Sequence, residues 1–285
     1  MGKKSRREKV NKPKRQRIQF VERPFAGIPF EIQLVAMREI LAAGTLKVKT
    51  NAAHGNTEVT LVSMLPQMVG ALRRSDGVLL VALQTVMHSG DLSLDVADRL
   101  LAALELENGE TYTQTEQPEP GKRLQDVLDL EAAAEFELHD DFSFWIGADE
   151  AEKPDVQQAI AQTKEQIFPT AQVPGTDGAF WTRMQREFLR LVRPEEQETV
   201  LNALARLQNR RELNFAHARF VGAFRAAGLL IPVFELDSGT EAADLAAPLA
   251  EFIQKLETEI SANSVLTAEE RRAKAGIVSR QVTLR

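Results

Sequence analysis

Apolar positions along the chain change period several times, and the changes mark out its elements. Ile32, Val35 and Ile40 recur at helical spacing, predicting a helix over 30–43 with Gly44 at its C-terminal cap. Stretches 45–50 and 57–64 read as strands, with His54-Gly55-Asn56 as the turn between them. After Asp76-Gly77, 78–85 reads as a buried strand, followed by a helix through Leu94, Ala97, Leu100 and Leu104 that Asp91 or Ser93 caps. Further on, the pattern predicts helices over 124–134, 154–167, 194–208 and 244–260. It predicts strands near 136–139, 142–146, 180–184, 187–192 and 229–236. Thr267-Ala268-Glu269-Glu270 has the capping-box form and opens a last helix that ends at Gly276. Before all of these, Ile18-Gln19-Phe20-Val21 alternates like a short extended segment docking onto the body.

The expected fold class is therefore α+β. The polar stretch 107–122, rich in Glu, Thr and Pro, reads as a linker and divides the chain. The expected organisation is a disordered basic tail at 1–17 and a first α+β unit at 18–106. An acidic linker with connecting elements at 107–153, a second unit at 154–262 and a C-terminal helix and tail at 263–285 follow. The units share a pattern: DGVLLVAL (76–83) before Ser89-Gly90 and a helix matches AGLLIPVF (227–234) before Ser238-Gly239 and a helix. This suggests an internal duplication within one pseudo-symmetric body; chance likeness between buried strand–turn–helix units gives the same pattern.

Composition narrows the chemistry. The 285 residues are 44% apolar, with 14 Phe, enough for a substantial core. There is no Cys, which removes disulfides, thiolate zinc sites, iron–sulfur clusters and a Cys nucleophile, and suits a reducing compartment. No apolar run approaches the ~20 residues of a membrane span, and neither a signal peptide nor a myristoylation site is expected, so a cytoplasmic location is expected.

Charge is segregated. Residues 1–17 hold Lys3, Lys4, Arg6, Arg7, Lys9, Lys12, Lys14, Arg15 and Arg17 against Glu8, a net of +8. That leaves 26 of the 35 bases against 40 of the 41 acids, so the rest of the chain carries −14. Within it, 107–182 holds 17 acids against Lys122, Arg123, Lys153 and Lys164, and 183–225 holds nine Arg against five Glu. Such asymmetry bears on partners rather than on fold.

Nucleotide and nucleophile motifs are missing: Gly121-Lys122 is not part of a phosphate-cradling loop, and no dinucleotide fingerprint or nucleophile elbow occurs. No cofactor and no metal is expected. His88-Ser89-Gly90-Asp91 has the form of an anion-binding turn, but an Asp that caps the next helix explains it better. His139-Asp140-Asp141 reads as a solvated turn between strands. Arg186 and Arg190 flank Phe188 on one strand face, with Trp181, Phe215, Phe220 and Phe224 nearby in sequence, a mix that suits nucleic acid. Against it, Phe at strand spacing commonly packs a core, and Arg206, Arg210 and Arg211 can pair with Glu195, Glu196 and Glu198 along one helix.

Assembled, the segments resemble a family of uncharacterised actinobacterial cytosolic proteins. The likeness runs through MGKKSRR (1–7), VERPFAGIP (21–29), VAMREI (35–40), RLQDVLDL (123–130), RFVGAFRAAGLLIPVFEL (219–236) and LTAEERRAKAGIVSRQVTLR (266–285). The resemblance implies no catalytic residue. Some members carry translocase-like or topoisomerase-like labels. The first label rests on a Cys-rich motif this chain lacks, and the second needs a nucleophilic Tyr, whereas Tyr112 lies in the polar linker.

Three functions follow as expectations. The first is a non-catalytic binding protein associated with RNA or the ribosome through the tail, with Arg186 and Arg190 as helpers. The second is a protein–protein adaptor in which acidic 107–182 recognises a basic partner, and the third an enzyme of unrecognised type. No membrane partner is expected, and a tail that only solubilises, or folds back on 107–182, competes with all of them.

Overall fold

Two six-stranded sheets, each containing an antiparallel hairpin, organise the chain. The structure is a computed structural model that describes residues 17–165, 167–262, 264–280 and 282–283; Lys3 to Arg15 of the basic tail lie outside the described residues. No helix among the described residues is long and apolar enough to cross a membrane.

The first hairpin joins β1 (Gly44–Lys49) to β2 (Glu58–Val62), Thr45 opposite Val62 and Lys49 opposite Glu58. Its turn is built as the sequence suggests, with a short helical turn at Ala52–His54 and Gly55 at φ +82°. Around it stand β3 (Ala71–Arg73), β4 (Leu79–Ala82), β5 (Thr111–Tyr112) and β6 (Glu135–Leu138), in the order β5-β3-β4-β2-β1-β6. The second hairpin joins β8 (Ala179–Arg183) to β9 (Glu187–Leu191). Adding β7 (Thr170–Gln172), β10 (Ala218–Ala226), β11 (Leu229–Leu236) and β12 (Val282–Thr283) gives the order β12-β10-β11-β9-β8-β7.

The helices are α1 (Glu31–Glu39), α2 (Leu92–Leu104), α3 (Leu124–Val127), α4 (Ala148–Ala151), α5 (Pro154–Lys164), α6 (Gln197–Asn209), α7 (Ala246–Ser261) and α8 (Ala268–Val278). α1 is encased: Leu34, Val35, Ala36 and Met37 are fully buried. Its apolar layer takes Leu46, Val59 and Leu61 from the first sheet, Val96 and Leu100 from α2, and Phe180, Val192, Leu229 and Ile231 from the second sheet. The two sheets thus share one core across 18–106 and 154–262. A second core lies on the far face of the second sheet, where Leu189, Leu191 and Phe234 meet Leu204 of α6 and Leu249, Phe252 and Leu256 of α7. Arg23 ties the halves further: it donates two hydrogen bonds to Glu31 (2.8 and 2.7 Å) and one to the Pro194 carbonyl (2.6 Å).

The runs β3-β4-β2-β1 and β10-β11-β9-β8 hold the same places in the two sheet orders, but their strand directions differ. β4 runs parallel to β2, whereas β11 runs antiparallel to β9. The likeness of 76–83 to 227–234 is therefore one of strand-and-turn chemistry and not of matching orientation.

Several elements differ from the sequence expectation. Residues 142–146 are not a strand: Ser143–Trp145 forms a helical turn in which Phe142 stacks on Trp145 (4.1 Å), with Phe144 beside them. Phe144 and Trp145 pack on Val62, Leu65, Leu80 and Ala82, the outer face of the first sheet. The helix expected over 124–134 stops at Val127. Ile18–Val21 joins no sheet; the Val21 N–H instead bonds the Gly90 carbonyl (3.0 Å). The polar stretch 107–122 is not a free linker, because Thr111-Tyr112 pairs with β3 and Gln114 is buried.

Candidate nucleic-acid interface

Alternation along β9 sends Leu189 and Leu191 into the second core and turns Phe188 and Arg190 to the opposite face. That face is covered at one end only. Toward Val192 it packs against the layer containing α1; toward Arg186 it is open, and Phe188 is part-exposed. Cross-strand register sets two rows on it. Arg219, Glu235, Phe188 and Thr182 form one, and Val233, Arg190 and Phe180 form the next.

The three arginines of this face are held differently. Arg186 and Arg219 both bind Glu235, Arg219 at 2.7 Å, and the Arg186 hydrogen bond holds the Glu235 carboxyl below the usual range. Arg190 has no ion pair among the described residues. Its Nη1 donates to Thr182 Oγ1 (3.1 Å), its Nη2 lies 3.8 Å from Met184 Sδ, and burial lowers its pKa. Arg190 sits at a hollow of about 330 Å³ whose lining includes Phe168, Met184, Thr170, Phe224 and Glu39. Phe168 is 54% exposed and Met184 43% exposed, so two large apolar side chains stand in solvent beside an uncompensated guanidinium. Phosphate on the arginines and a base on a ring is the chemistry such a surface offers.

Arg186 and Arg190 therefore share one face, as their spacing suggests. Arg17, exposed before Ile18, shows no contact with either. The other sequence-predicted binders, Lys3, Lys4, Arg6, Arg7, Lys9, Lys12, Lys14 and Arg15, lie outside the described residues.

The remaining aromatics of the Arg-rich stretch serve the core. Trp181 and Phe220 are buried, and Phe215 stacks on Phe252 at 4.6 Å. The expected pairing along α6 does not form. Arg206 donates to the carbonyls of Glu259 (2.9 Å) and Ser264 (2.5 Å), Arg210 bonds Glu212 and Glu259, Glu195 binds Arg193, and Glu198 binds Lys274. Phe168, Met184 and Arg219 join the face only through strand register and the turn before β7, which residue spacing does not encode.

Asp91 caps α2, accepting from the Ser93 and Leu94 N–H groups, so His88-Ser89-Gly90-Asp91 is the helix-capping turn. His139 hydrogen-bonds Thr45 Oγ1 (2.8 Å), and Asp141 accepts from the Ser143 N–H (2.9 Å).

No curated protein and no solved structure matches the chain. A family model does match, over residues 24–285, starting beyond the basic tail. Over that span, which includes both sheets and the Arg186–Arg190 face, the chain belongs to the DUF5926 family, a family of unknown function.

Proposed function

We propose that this is a non-catalytic, cytosolic RNA-binding protein, associated with RNA or the ribosome, that gathers the polyanion with its basic tail and seats single-stranded RNA on the open face of the second sheet. The observation that carries the reading is Arg186, Phe188 and Arg190 on one uncovered face beside exposed Phe168. Two of the three arginines share a single carboxylate, so the face keeps positive charge for phosphate. Single strands fit better than duplex, because exposed rings stack on unpaired bases. The Cys-free composition supports the cytosolic part of the reading. A common origin of the two halves rests on the shared strand order and is not needed for it.

Fluorescence anisotropy with a single-stranded RNA across a salt series tests it. If six tail bases contact phosphate, deleting residues 1–17 flattens the slope of log K against log salt by about 4. Phe168→Ala should weaken binding by roughly fivefold to tenfold at every salt concentration, the lower part of the range for one lost base stack, and leave the slope alone. Unchanged affinity and slope in both variants would sink the proposal.

A second reading has one specific observation behind it. α5 carries no fully buried residue, and with Glu150, Glu152, Asp155 and Glu165 on and around it, it offers an exposed acidic surface to a basic protein partner. Capture of a partner that survives nuclease and tail deletion, and fails when acids of 150–165 are neutralised, would favour this adaptor.

A further inference from the structure

A second concavity lies where the N-terminal segment meets the end of α1, the start of α2 and the β10–β11 turn. It measures about 650 Å³, the scale of a site for a small organic molecule. Its walls come from the segment around Phe20 and Pro24, the end of α1, the turn at His88–Gly90 with the start of α2, Gln197 of α6, and the β10–β11 turn at 226–228. These walls are fixed to one another. The Val21 N–H bonds the Gly90 carbonyl (3.0 Å), and Gln197 Nε2 donates to the Gly228 carbonyl (2.7 Å). Gly228 lies so close to Arg23 that a Cβ there would stand 2.5 Å from the Arg23 Cβ. The cleft is thus shaped before any ligand arrives.

Two guanidinium groups, Arg38 at the end of α1 and Arg225 near the end of β10, line it. In both, the Nε atom is buried and has no hydrogen-bond acceptor. The Nε atoms themselves lie too deep for a ligand to touch, but no hydrogen bond among the described residues engages either guanidinium, so their outer nitrogens are left for acceptors in the cleft. Arg38 Nε stands 3.3 Å from Glu39 Oε1, near enough for an ion pair but not aligned for a hydrogen bond. Arg225 forms no ion pair among the described residues. The lining also includes Phe20, Leu92 and Ala227, which offer an apolar wall, and His88, Gln197 and the carboxyl groups of Glu22 and Glu39 as further polar groups.

We propose that this cleft binds a small organic phosphate, its phosphoryl oxygens accepting from Arg38 and Arg225 and its organic body lying against Phe20, Leu92 and Ala227. Phosphate suits the site better than carboxylate. Two separate guanidinium forks need more acceptors than one carboxylate presents, and a phosphate monoester offers three terminal oxygens with about −1.5 to −2 charge. Glu39 also lines the hollow beside Arg190, so the cleft and the proposed RNA face are neighbours. The proposal does not depend on RNA binding.

The test uses the full chain and adenosine 5′-monophosphate as probe, with inorganic phosphate and adenosine alongside. Arginine side-chain Nε–H signals are followed by nitrogen-15 NMR and assigned with Arg38→Lys and Arg225→Lys. The expected result is a saturable shift of the Arg38 and Arg225 signals with the monophosphate, tighter than with phosphate alone and absent with adenosine. Each Lys variant should weaken binding at least tenfold, since Lys lacks the fork. If a variant fails to fold, the wild-type titration decides, with the two Nε–H signals assigned by their proximity to Leu92 and Ala227. The proposal is overturned by the absence of saturation up to about 10 mM, weaker than any specific site of this size should be. It is equally overturned if the shifts fall on Arg186 and Arg190 instead. A 5′-phosphorylated RNA that binds the cleft when the mononucleotide does not would also overturn it, assigning the cleft to RNA.

Discussion

Arg99 shows how closely charge and burial are balanced in this protein. It lies in α2 at 2% exposure, donates to Thr85 Oγ1, and has its Nε buried without a partner. Burial pushes its pKa down to about 10. Asp95, one helical turn away and also buried, accepts from the Ser89 N–H (3.2 and 3.0 Å), and burial raises its carboxyl pKa. Each charge is tolerated because the other is near. Arg99→Ala is therefore expected to cost ~3 kcal/mol in urea unfolding, the scale for stranding one buried charge. Adding Asp95→Asn should recover a large part of that loss, which a double-mutant cycle reads directly. An additive result would show that the two charges do not depend on each other. Glu39 gives a pH prediction of known sign. Burial raises its pKa above the ordinary value, with Arg38 opposing, so the folded state holds the proton more tightly than the unfolded chain. Its contribution to stability is then most favourable below the usual carboxylate range and is lost as pH rises through the folded pKa. Glu39→Gln should remove that loss: relative to wild type, the variant gains stability between pH 4 and pH 7. A difference that stays flat across this window would contradict the assignment.

Elements that carry their own local signals were legible in the sequence, and those defined by partners were not. α2 has an Asp cap, helical apolar spacing and no breaker, and the structure has it with Asp91 at its N-cap. The β1–β2 hairpin has a Gly in the turn that needs positive φ. By contrast, Thr111-Tyr112 is a strand only because β3 supplies backbone partners for it. β10, nine residues long, hides its alternation behind a bulge between Phe220 and Gly222. Phe142, Phe144 and Trp145 have strand-like composition, but they pack on one another as a cap over the first sheet. The candidate face was half legible. Arg186, Phe188 and Arg190 share a face by simple alternation, whereas Arg219 and Phe168 arrive from other strands and loops. Ala227 (φ +45°) and Gly228 (φ +81°) both take left-handed conformations, and Gly228 also lies against Arg23. Gly228→Ala meets both penalties and should destabilise the protein by about 2 kcal/mol in chemical unfolding. The same change at Gly239 (φ +86°), where nothing lies within 4 Å of the added Cβ, should cost less. Equal losses would mean that backbone strain alone acts and that the contact with Arg23 does not matter.

At the scale of the whole molecule, the sequence separates two units and the structure joins them through one helix. α1 precedes the first sheet in sequence, yet its layer takes Phe180, Val192, Leu229 and Ile231 from the second. Arg23 then bridges Glu31 to the Pro194 carbonyl, so the polar contacts across the junction agree with the apolar ones. A shared core has a thermodynamic signature, because exposing it in one half exposes it in the other. Two tryptophans are placed to read it. Trp145 caps the outer face of the first sheet and donates to the Met64 carbonyl (2.9 Å). Trp181 sits in the second sheet and donates to the Thr240 carbonyl (2.8 Å). Variants carrying Trp145→Phe or Trp181→Phe leave one reporter in each half. After correction for each variant's own stability by circular dichroism, the two fluorescence transitions in urea should coincide with the loss of secondary structure. Leu34→Ala, which opens a cavity in the buried face of α1, should lower both midpoints together by the equivalent of ~2–5 kcal/mol. Separate transitions, or a Leu34→Ala effect confined to the Trp145 signal, would show instead that the halves fold as independent units and that the layer around α1 is an interface between them.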